Sequence, residues 1–221
     1  MIVVHHLENS RSQRVLWMLE ELGVPYEIRL YKRQPSLQAP HELRAVHPLG
    51  KSPVITDGDL VIAESGAILE YLVERYGEGR FVPPPGSPDK LRYRYFLHYA
   101  EGSLMPLLFL KIVFMKLPER VPFLMRPVAS AISAGADKAL LGPQLASHFA
   151  FLEGELKGRE WFAGEFSAAD VQMSFPLEAA GARGGLDRAR LPNLGALLDR
   201  IHARPAYKRA IEKGGPYVQL K

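Results

Sequence analysis

Hydrophobic residues in the first third of the chain switch between two spacings, one typical of strands and the other of helices. Residues 1–7 are apolar and rich in β-branched side chains, which indicates a buried strand. Residues 11–23 carry apolar side chains at helical spacing and end at Gly23, so they predict a helix with a glycine stop. Alternation over residues 25–32 predicts a second strand, and residues 36–48 predict a loop with a short helix.

Two further strands and a helix follow this unit. Residues 52–63 hold two short apolar runs around Asp57 and Gly58, a pair that favours the tight turn of a hairpin. Residues 64–77 are amphipathic at helical spacing. The predicted order is therefore β-α-β-α-β-β-α within residues 1–78, which makes a small mixed sheet with helices packed on it.

A stretch rich in proline and glycine interrupts the chain after this unit. Residues 77–90 hold four prolines and three glycines in fourteen positions, a composition typical of a linker. No strand of any length is predicted after it. We therefore divide the chain into residues 1–78, a linker over 79–87 and an all-helical domain over 88–221.

Helical spacing continues through the second part of the chain. Residues 87–116 predict one long helix with a kink at Pro106, because proline donates no backbone hydrogen bond. Ser167 and Asp170 stand three positions apart, which resembles a capping box with Asp in place of Glu. The other predicted helices cover residues 136–158, 166–180, 193–205 and 205–214.

Composition narrows the classes of function. The net charge is +4 without a run of five or more basic residues, so nucleic acid is not indicated as a partner. The absence of cysteine excludes disulfides, thiolate metal sites and a cysteine nucleophile. Lys111 interrupts the longest apolar run, which falls short of the ~20 residues that a membrane span needs. The start of the chain lacks a signal-peptide pattern, so we expect a cytoplasmic protein with no membrane span.

The stretch HPLGKSPVITDGDLVIAESGAILEYL carries polar residues that a hairpin and a helix do not require. Lys51, Ser52 and Pro53 precede a predicted strand, and Glu64 and Ser65 stand where the next helix begins. Backbone N–H groups and the helix dipole favour an anion at such a position. On their own, Glu64 and Ser65 also fit a plain helix cap, and Pro53 fits a trans proline at a strand start.

These motifs, in this order of elements, resemble the cytosolic glutathione transferases over the whole chain. That family joins a thioredoxin-like domain, which binds glutathione, to an all-helical domain. Its cis proline before the third strand matches Pro53 in KSPV, and its Glu/Gln-Ser pair matches Glu64 and Ser65 in ESGAI. FSAADVQMSF matches the capping-box helix of its second domain. The first helix is most similar to the branches that use a serine near its start, and HPLGKSP to a fungal and bacterial group.

The resemblance implies that glutathione is bound by Lys51, Ser52, Pro53, Val54, Glu64 and Ser65. Ser65 and the backbone at the helix start suit the γ-glutamyl carboxylate, and the Glu64 carboxylate suits the ammonium group. With a cis bond before Pro53, the backbone of Val54 faces the cysteinyl unit in strand-like pairing. Lys51 either meets the glycyl carboxylate as a point charge or lies in solvent.

Ser10, between the first strand and the first helix, is our candidate for lowering the pKa of the glutathione thiol. A hydroxyl that donates to sulfur stabilises the thiolate, and a helix start nearby adds to the effect. Asn9 and Ser12 are rivals for this role, Arg11 can add positive field, and a serine here can also serve only as a helix cap. No tyrosine ends the first strand, so the mechanism of the Tyr-using members is not expected.

His5 and His6 point to opposite faces of the first strand and cannot chelate one metal together, so we interpret both as structural. His47 precedes the binding loop and is able to hydrogen-bond glutathione, although we interpret it as a loop histidine. We expect neither a metal nor another cofactor besides the co-substrate glutathione. The acceptor pocket is expected across the interdomain cleft, although an aromatic stripe at helical spacing is also typical of a core. Its predicted residues are Tyr95, Tyr99, Leu104 and Phe109.

The predicted function is that of a glutathione transferase which activates glutathione as a thiolate and adds it to small electrophiles. Peroxide reduction by bound glutathione stays open, because it needs no enzyme thiol. The alternative is a non-catalytic module of the same fold that binds or docks partners. A homodimer is implied by the resemblance, and the sequence does not name the electrophile.

Overall fold

Four short strands form one mixed sheet at the start of the chain. The computed structural model describes residues 1–34, 39–182 and 185–215. The strands are β1 (Ile2–Leu7), β2 (Tyr26–Tyr31), β3 (Val54–Asp57) and β4 (Leu60–Ala63). They lie in the order β2-β1-β3-β4, with β1 parallel to β2 and the other two pairs antiparallel. Val4 and Ile55 are register partners and are fully buried, which places the core beside the centre of the sheet.

Three helices complete this part: α1 (Ser12–Leu22), α2 (Leu43–Val46) and α3 (Ser65–Tyr76). Gly23 ends α1 in the left-handed conformation with φ +71°, which glycine adopts without a Cβ penalty. Gly58 turns between β3 and β4 with φ +58°, as the hairpin signal predicts. The predicted β-α-β-α-β-β-α order is confirmed. Residues 35–38, which include the first three residues of the segment predicted as a loop with a short helix, lie outside the described residues.

The rest of the described chain is helical. Ser87 starts this region, because its hydroxyl accepts the Lys90 N–H at 3.2 Å and Pro88 follows at the first turn. The helices are α4 (Pro88–Tyr99), α5 (Met105–Lys116), α6 (Arg126–Ala136), α7 (Gly142–Glu155), α8 (Ala168–Ala182), α9 (Pro192–Ala203) and α10 (Pro205–Gly214). The domain bounds 1–78, 79–87 and 88–221 stay a prediction.

The long helix predicted over residues 87–116 is two helices joined by a wide turn. Ala100–Leu104 is π-helical, with the Met105 N–H bonded to the Ala100 carbonyl. Pro106 follows immediately and has no N–H to donate, so the backbone widens one turn before it rather than at it. A second π-helical stretch, Asp137–Leu141, joins α6 to α7. Helix α6 was not predicted, since Ala129 is its one buried residue and no buried stripe marks it.

The sheet part and the helical part share one core. Helix α1 packs against α3, α8 and α10, and Trp17 at its centre lies edge-on to Tyr207 of α10 with ring centroids 5.2 Å apart. Arg204, just before α10, donates to both carboxylate oxygens of Glu21 at 2.6 and 2.9 Å. The continuous packing holds the cleft between the two parts in a fixed geometry. None of the described helices is long and apolar enough to cross a membrane.

Candidate functional site

A cavity of about 210 Å³ opens where the loop before β3, the start of α3 and the π-helical turn meet. Its wall is formed by Arg11, His47, Leu49, Lys51, Ser52, Pro53, Ala63, Glu64, Ser65 and Glu101. A neighbouring cavity of about 380 Å³ shares four of these residues, Arg11, Leu49, Lys51 and Ser52. Five of the six residues predicted to bind glutathione therefore line one concave surface, and the sixth, Val54, follows Pro53 in the chain and is buried.

The loop into β3 is held by a serine and a proline. The peptide bond between Ser52 and Pro53 is cis, as the resemblance implies. Ser52 Oγ donates to the His5 carbonyl at 3.0 Å and accepts the Leu7 N–H at 3.3 Å. These two bonds tie the loop to the end of β1, so the cavity wall at Ser52 is fixed by the sheet.

The start of α3 is open toward the cavity. Glu64 occupies the cap position with φ +69°, a conformation that costs a non-glycine residue free energy and that clusters at functional sites. Its carboxylate is exposed, and no side chain among the described residues caps the first turn of α3. The N–H groups of that turn are therefore available to an anion in the cavity.

Ser65, at the first position of α3, is oriented by two donors. It is buried, and its Oγ accepts from Arg14 Nη2 at 2.7 Å and from Gln172 Nε2 at 3.4 Å. A hydroxyl has two acceptor lone pairs and one proton, so both lone pairs are occupied and the proton remains to be donated. Because Ser65 also lines the cavity, that proton is positioned for an acceptor there.

A buried arginine links this serine to the helical part. Arg14 is fully buried and donates to Glu101 at 2.7 Å as well as to the Gln172 carbonyl at 2.7 Å. Arg11 contacts Glu101 from the other side at 3.0 Å. Burial alone raises the pKa of Glu101, but the charges of Arg14 and Arg11 hold it below its ordinary value. Glu101 is therefore an ionised carboxylate at the cavity wall.

Glu101 and Arg14 were not among the site residues predicted from the sequence. Glu101 stands on the π-helical turn before Pro106, and turns of this kind are frequent at functional sites. Arg14 is a charged residue on the face of α1 that also carries Val15 and Met18, which are buried. A long charged side chain inside an apolar helix pattern indicates a buried ion pair or hydrogen bond. The sequence did not identify the partners of Arg14, because they lie 51, 87 and 158 positions away.

Ser10, the residue predicted to contact the glutathione thiol, lies behind the loop that forms the cavity wall at Ser52. It is buried, is absent from the cavity wall, and its Oγ stands 3.5 Å from Ser52 Oγ. Ser12 Oγ is 2.7 Å from Ser10 Oγ. Asn9 adopts φ +53°, and its carbonyl accepts from Arg33 at 3.0 Å. Ser10, Ser12 and Ser52 thus form one cluster of hydroxyls under the loop, and the assignment of Ser10 to the thiol stays a prediction.

The predicted acceptor residues do not line this cavity. Tyr95 stacks on Tyr99 with centroids 5.6 Å apart, and both pack near Phe151 of α7. Leu104 is buried in the core, whereas the Phe109 side chain is 59% exposed. Their role in an acceptor pocket stays a prediction. Among the described residues no cluster of three or more His, Asp or Glu side chains is arranged to hold a metal ion.

Comparison with known proteins agrees with this architecture. Residues 1–74 match the model of the glutathione S-transferase N-terminal domain, and residues 112–205 match that of the C-terminal domain. Glutathione S-transferase 3 of Schizosaccharomyces pombe is 39% identical, with 96% of this chain and 88% of that protein covered. Glutathione S-transferase 1 of Saccharomyces cerevisiae is 33% identical, with 96% and 94% covered.

Solved structures carry the same fold. A glutathione S-transferase from Actinobacillus pleuropneumoniae aligns with a TM-score of 0.78 and 34% identity over 100% of this chain and 95% of that one. A sphingomonad glutathione S-transferase complexed with glutathione aligns with a TM-score of 0.72 and 26% identity over 96% and 98%. The predicted thioredoxin-like domain followed by a helical domain is confirmed. Fold, family models and relatives together place the chain in the glutathione S-transferase family.

Proposed function

We propose that the chain binds glutathione in the cavity at the start of α3, activates its thiol as a thiolate and adds it to small electrophiles. The observation that carries this proposal is the orientation of the Ser65 hydroxyl. Both of its lone pairs accept hydrogen bonds from within the chain, so its proton is left for a ligand. That donor stands beside the uncapped first turn of α3. Together they suit a carboxylate better than any neutral group.

The remaining walls suit the other groups of an extended tripeptide. Glu64 and Glu101, both on the cavity wall, suit the γ-glutamyl ammonium group. The backbone of Val54 suits the cysteinyl amides in strand-like pairing. Lys51 is exposed and lines both cavities, so its ammonium group suits the glycyl carboxylate. A ligand held at both ends places its central thiol near Ser52 and the hydroxyls below it.

Ser10 remains our candidate for the residue that sets the acidity of the thiol, with Asn9 and Ser12 as rivals. Peroxide reduction by bound glutathione is a second activity of the same site that this arrangement permits. The proposed assembly is a homodimer, and exposed apolar residues on edge strand β4, Leu60 at 52% and Val61 at 50%, favour a covered surface there. The cytoplasmic location stays a prediction.

Calorimetric titration with glutathione and with S-methylglutathione tests the binding step. We expect both to bind and to raise the unfolding temperature, because a ligand of the native state stabilises it, whereas free cysteine at equal concentration should not. A conjugation assay with a chromogenic electrophile then tests the chemistry. Binding without conjugation would favour the non-catalytic module, and absence of binding would remove the proposal altogether.

A further inference from the structure

A line of hydrogen bonds runs from the loop under the cavity to the end of α10. Ser10 Oγ lies 2.7 Å from Ser12 Oγ, and Ser12 Oγ lies 2.7 Å from His6 Nδ1. On the far side of the ring, His6 Nε2 lies 2.8 Å from the Gly214 carbonyl oxygen. Ser10, Ser12 and His6 are all buried, so water does not replace these partners.

The Gly214 carbonyl, at the α10 end of this chain of hydrogen bonds, determines which group donates in each bond. A carbonyl oxygen only accepts, so His6 Nε2 must carry the proton that it shares with Gly214. In the neutral ring Nδ1 is then an acceptor, and Ser12 must donate to it. Since the single proton of Ser12 points to His6, the bond between the two hydroxyls is donated by Ser10.

The direction has a consequence for the thiol. With His6 neutral, the Ser10 proton points inward to Ser12, and the Ser52 proton points to the His5 carbonyl. One lone pair of Ser10 Oγ accepts the Ser12 N–H at 3.2 Å, and the other is left on the side of Ser52, whose Oγ lies 3.5 Å away under the cavity. In this state Ser10 can accept a proton from a thiol but cannot donate to a thiolate.

We propose that Ser10 and Ser12 relay the proton of the bound glutathione thiol to His6 Nδ1, an inference that rests on the proposed function. The S–H bond breaks and its proton passes to Ser10 Oγ. The original Ser10 proton passes to Ser12 Oγ, and the original Ser12 proton passes to Nδ1. The products are a thiolate and an imidazolium, with no net change of charge and no oxidant or reductant.

The transfer reverses the line of bonds. Nδ1–H then donates to Ser12, Ser12 donates to Ser10, and the Ser10 hydroxyl is free to donate to the thiolate sulfur. The same serine thus accepts the proton first and holds the anion afterwards. When the product leaves, the imidazolium returns its proton along the same path to water that enters the cavity. His6 is a positioning residue, because it acts on the sulfur only through the two serines.

The surroundings of His6 keep the ring neutral before glutathione binds. Burial lowers its pKa, while the Gly214 carbonyl and the charge of Glu8 oppose this. On the packed helices, Lys213 of α10 is paired with Glu20 at 2.5 Å, and Arg14 of α1 is paired with Glu101. A Cβ at Gly214 would lie 2.3 Å from Gln13 Oε1 and 2.5 Å from Leu16 Cδ1, so a side chain there would displace both of these groups of α1. This close approach brings the carbonyl to His6.

Nitrogen NMR of the whole chain with labelled histidine tests the relay without a mutation. We expect His6 to be the Nε2–H tautomer in the free protein and in the S-methylglutathione complex, which has no thiol proton. With glutathione it should become imidazolium in step with the ultraviolet absorbance of the thiolate. A neutral His6 in a complex that contains thiolate would overturn the relay and leave the proposed function standing. Failure of both ligands to bind would instead remove the proposed function.

Kinetic measurements on variants provide a second test of the relay. His6→Asn keeps an acceptor near the Nδ1 position but cannot take up a proton, and Ser12→Ala breaks the line with His6 intact. Each should lower kcat/KM about a hundredfold, the range of general-base catalysis, with unchanged glutathione affinity and a raised thiol pKa. The control is His5→Asn, whose ring contacts Tyr31 on the opposite face of β1. Equal losses in the control, or unchanged thiol pKa in both variants, would contradict the relay.

Discussion

The starts of α3 and α8 carry similar residues and are used in opposite ways. At α8, Asp170 is fully buried and accepts the Ser167 N–H at 2.9 Å, the Ser167 hydroxyl at 3.1 Å and the Phe162 N–H at 2.9 Å. At α3, no side chain among the described residues caps the first turn, and Glu64 stands exposed with φ +69°. One helix start is closed inside the protein and the other is left open to a cavity.

The difference separates a structural helix start from a binding one. The N–H groups at the start of α8 already have an acceptor within the chain. A ligand would therefore have to displace that acceptor, which costs free energy. The N–H groups at the start of α3 lack the acceptor that a helix cap would provide. Arg14 and Gln172 orient the Ser65 hydroxyl so that its proton is a further donor beside these N–H groups. An uncapped, strained and supported helix start is therefore better evidence of a site than a serine at a helix start alone.

The largest effect is expected from Asp170→Ala, which should lower the free energy of unfolding by about 3–5 kcal/mol. It removes three hydrogen bonds and leaves two backbone N–H groups buried without a partner. Urea denaturation measures the loss, and Asp187→Ala is the matched control, because Asp187 is exposed, accepts the Ala189 N–H and pairs with the exposed Arg190 at 3.5 Å. Glutathione affinity of the folded fraction should not change. A loss below ~1 kcal/mol would contradict the structural role given to this helix start.

Arg14→Met should act on both stability and binding. We expect a loss of about 2–4 kcal/mol in stability, because Glu101 keeps a poorly compensated charge and Ser65 loses its strongest donor. Glutathione should bind at least tenfold more weakly, since the freed hydroxyl can turn away from the ligand. The control is Arg188→Met, whose exposed pair with Asp199 should contribute ~1 kcal/mol or less. Thermal unfolding and calorimetry together measure the pair of effects.

Glu64→Ala combined with Ser65→Ala should weaken glutathione far more than it destabilises the fold. Each charge-assisted bond to the ligand contributes ~1.5–3 kcal/mol, whereas a lost helix cap costs ~1 kcal/mol. Ser87→Ala is the control, because Ser87 caps α4 through Lys90 and lines neither of the two cavities. An unchanged dissociation constant in the double variant would show that α3 starts with an ordinary cap after all.

Ser10→Ala should raise the pKa of the bound thiol by about one unit, equivalent to ~1.4 kcal/mol, and lower kcat with little change in glutathione affinity. Ultraviolet titration of the thiolate in the complex measures the shift. Ser174→Ala is the control, a buried serine of α8 whose hydroxyl donates to the Val171 carbonyl at 2.9 Å. If Asn9→Ala shifts the pKa and Ser10→Ala does not, Asn9 is the residue that contacts the sulfur.

The smallest effect is expected from the titration of Glu101. Its pKa is lower in the folded protein than its unfolded value of 4.5, so its ion pairs stabilise the protein fully above pH 4.5. This contribution should disappear as the pH falls through the lowered folded value. Denaturation of the wild type and of Glu101→Gln across pH 2–7 measures the difference between them. A difference that grows as the pH falls would contradict the assigned sign.

Much of the fold could be predicted from local patterns. Apolar spacing identified the strands and the first and third helices, Gly23 and Gly58 marked turns that need φ above zero, and the motif around Pro53 identified the family. Helix α6 escaped prediction, because its exposed Val128 and Ile132 do not form a buried stripe. Ser167 and Asp170 were identified correctly, since a capping arrangement depends on residues three positions apart.

The two charged groups behind the site could not be predicted in the same way. Arg14 and Glu101 are 87 positions apart, and only the packing of α1 against the π-helical turn brings them to 2.7 Å. Tyr95 and Tyr99 were expected in the acceptor pocket because they lie on the first long helix beside the cleft. In the structure they pack near Phe151 of α7, and their role in that pocket stays a prediction. Helical spacing determines which residues share a face, but it does not determine which neighbour covers that face.

The sequence by itself therefore determined most of the elements, the two-part architecture, the family and five of the residues that line the cavity, because each depends on contacts between near neighbours or on a short motif. Tertiary structure decided which of those residues are free to act. The hydroxyl of Ser65 is oriented by Arg14 and Gln172, and the hydroxyl of Ser10 by a carbonyl at Gly214 through Ser12 and His6. The physical reason is that a hydroxyl can donate in several directions, and the groups that fix its direction lie far along the chain. Gly214 is 208 positions from His6, and Gln172 is 107 positions from Ser65.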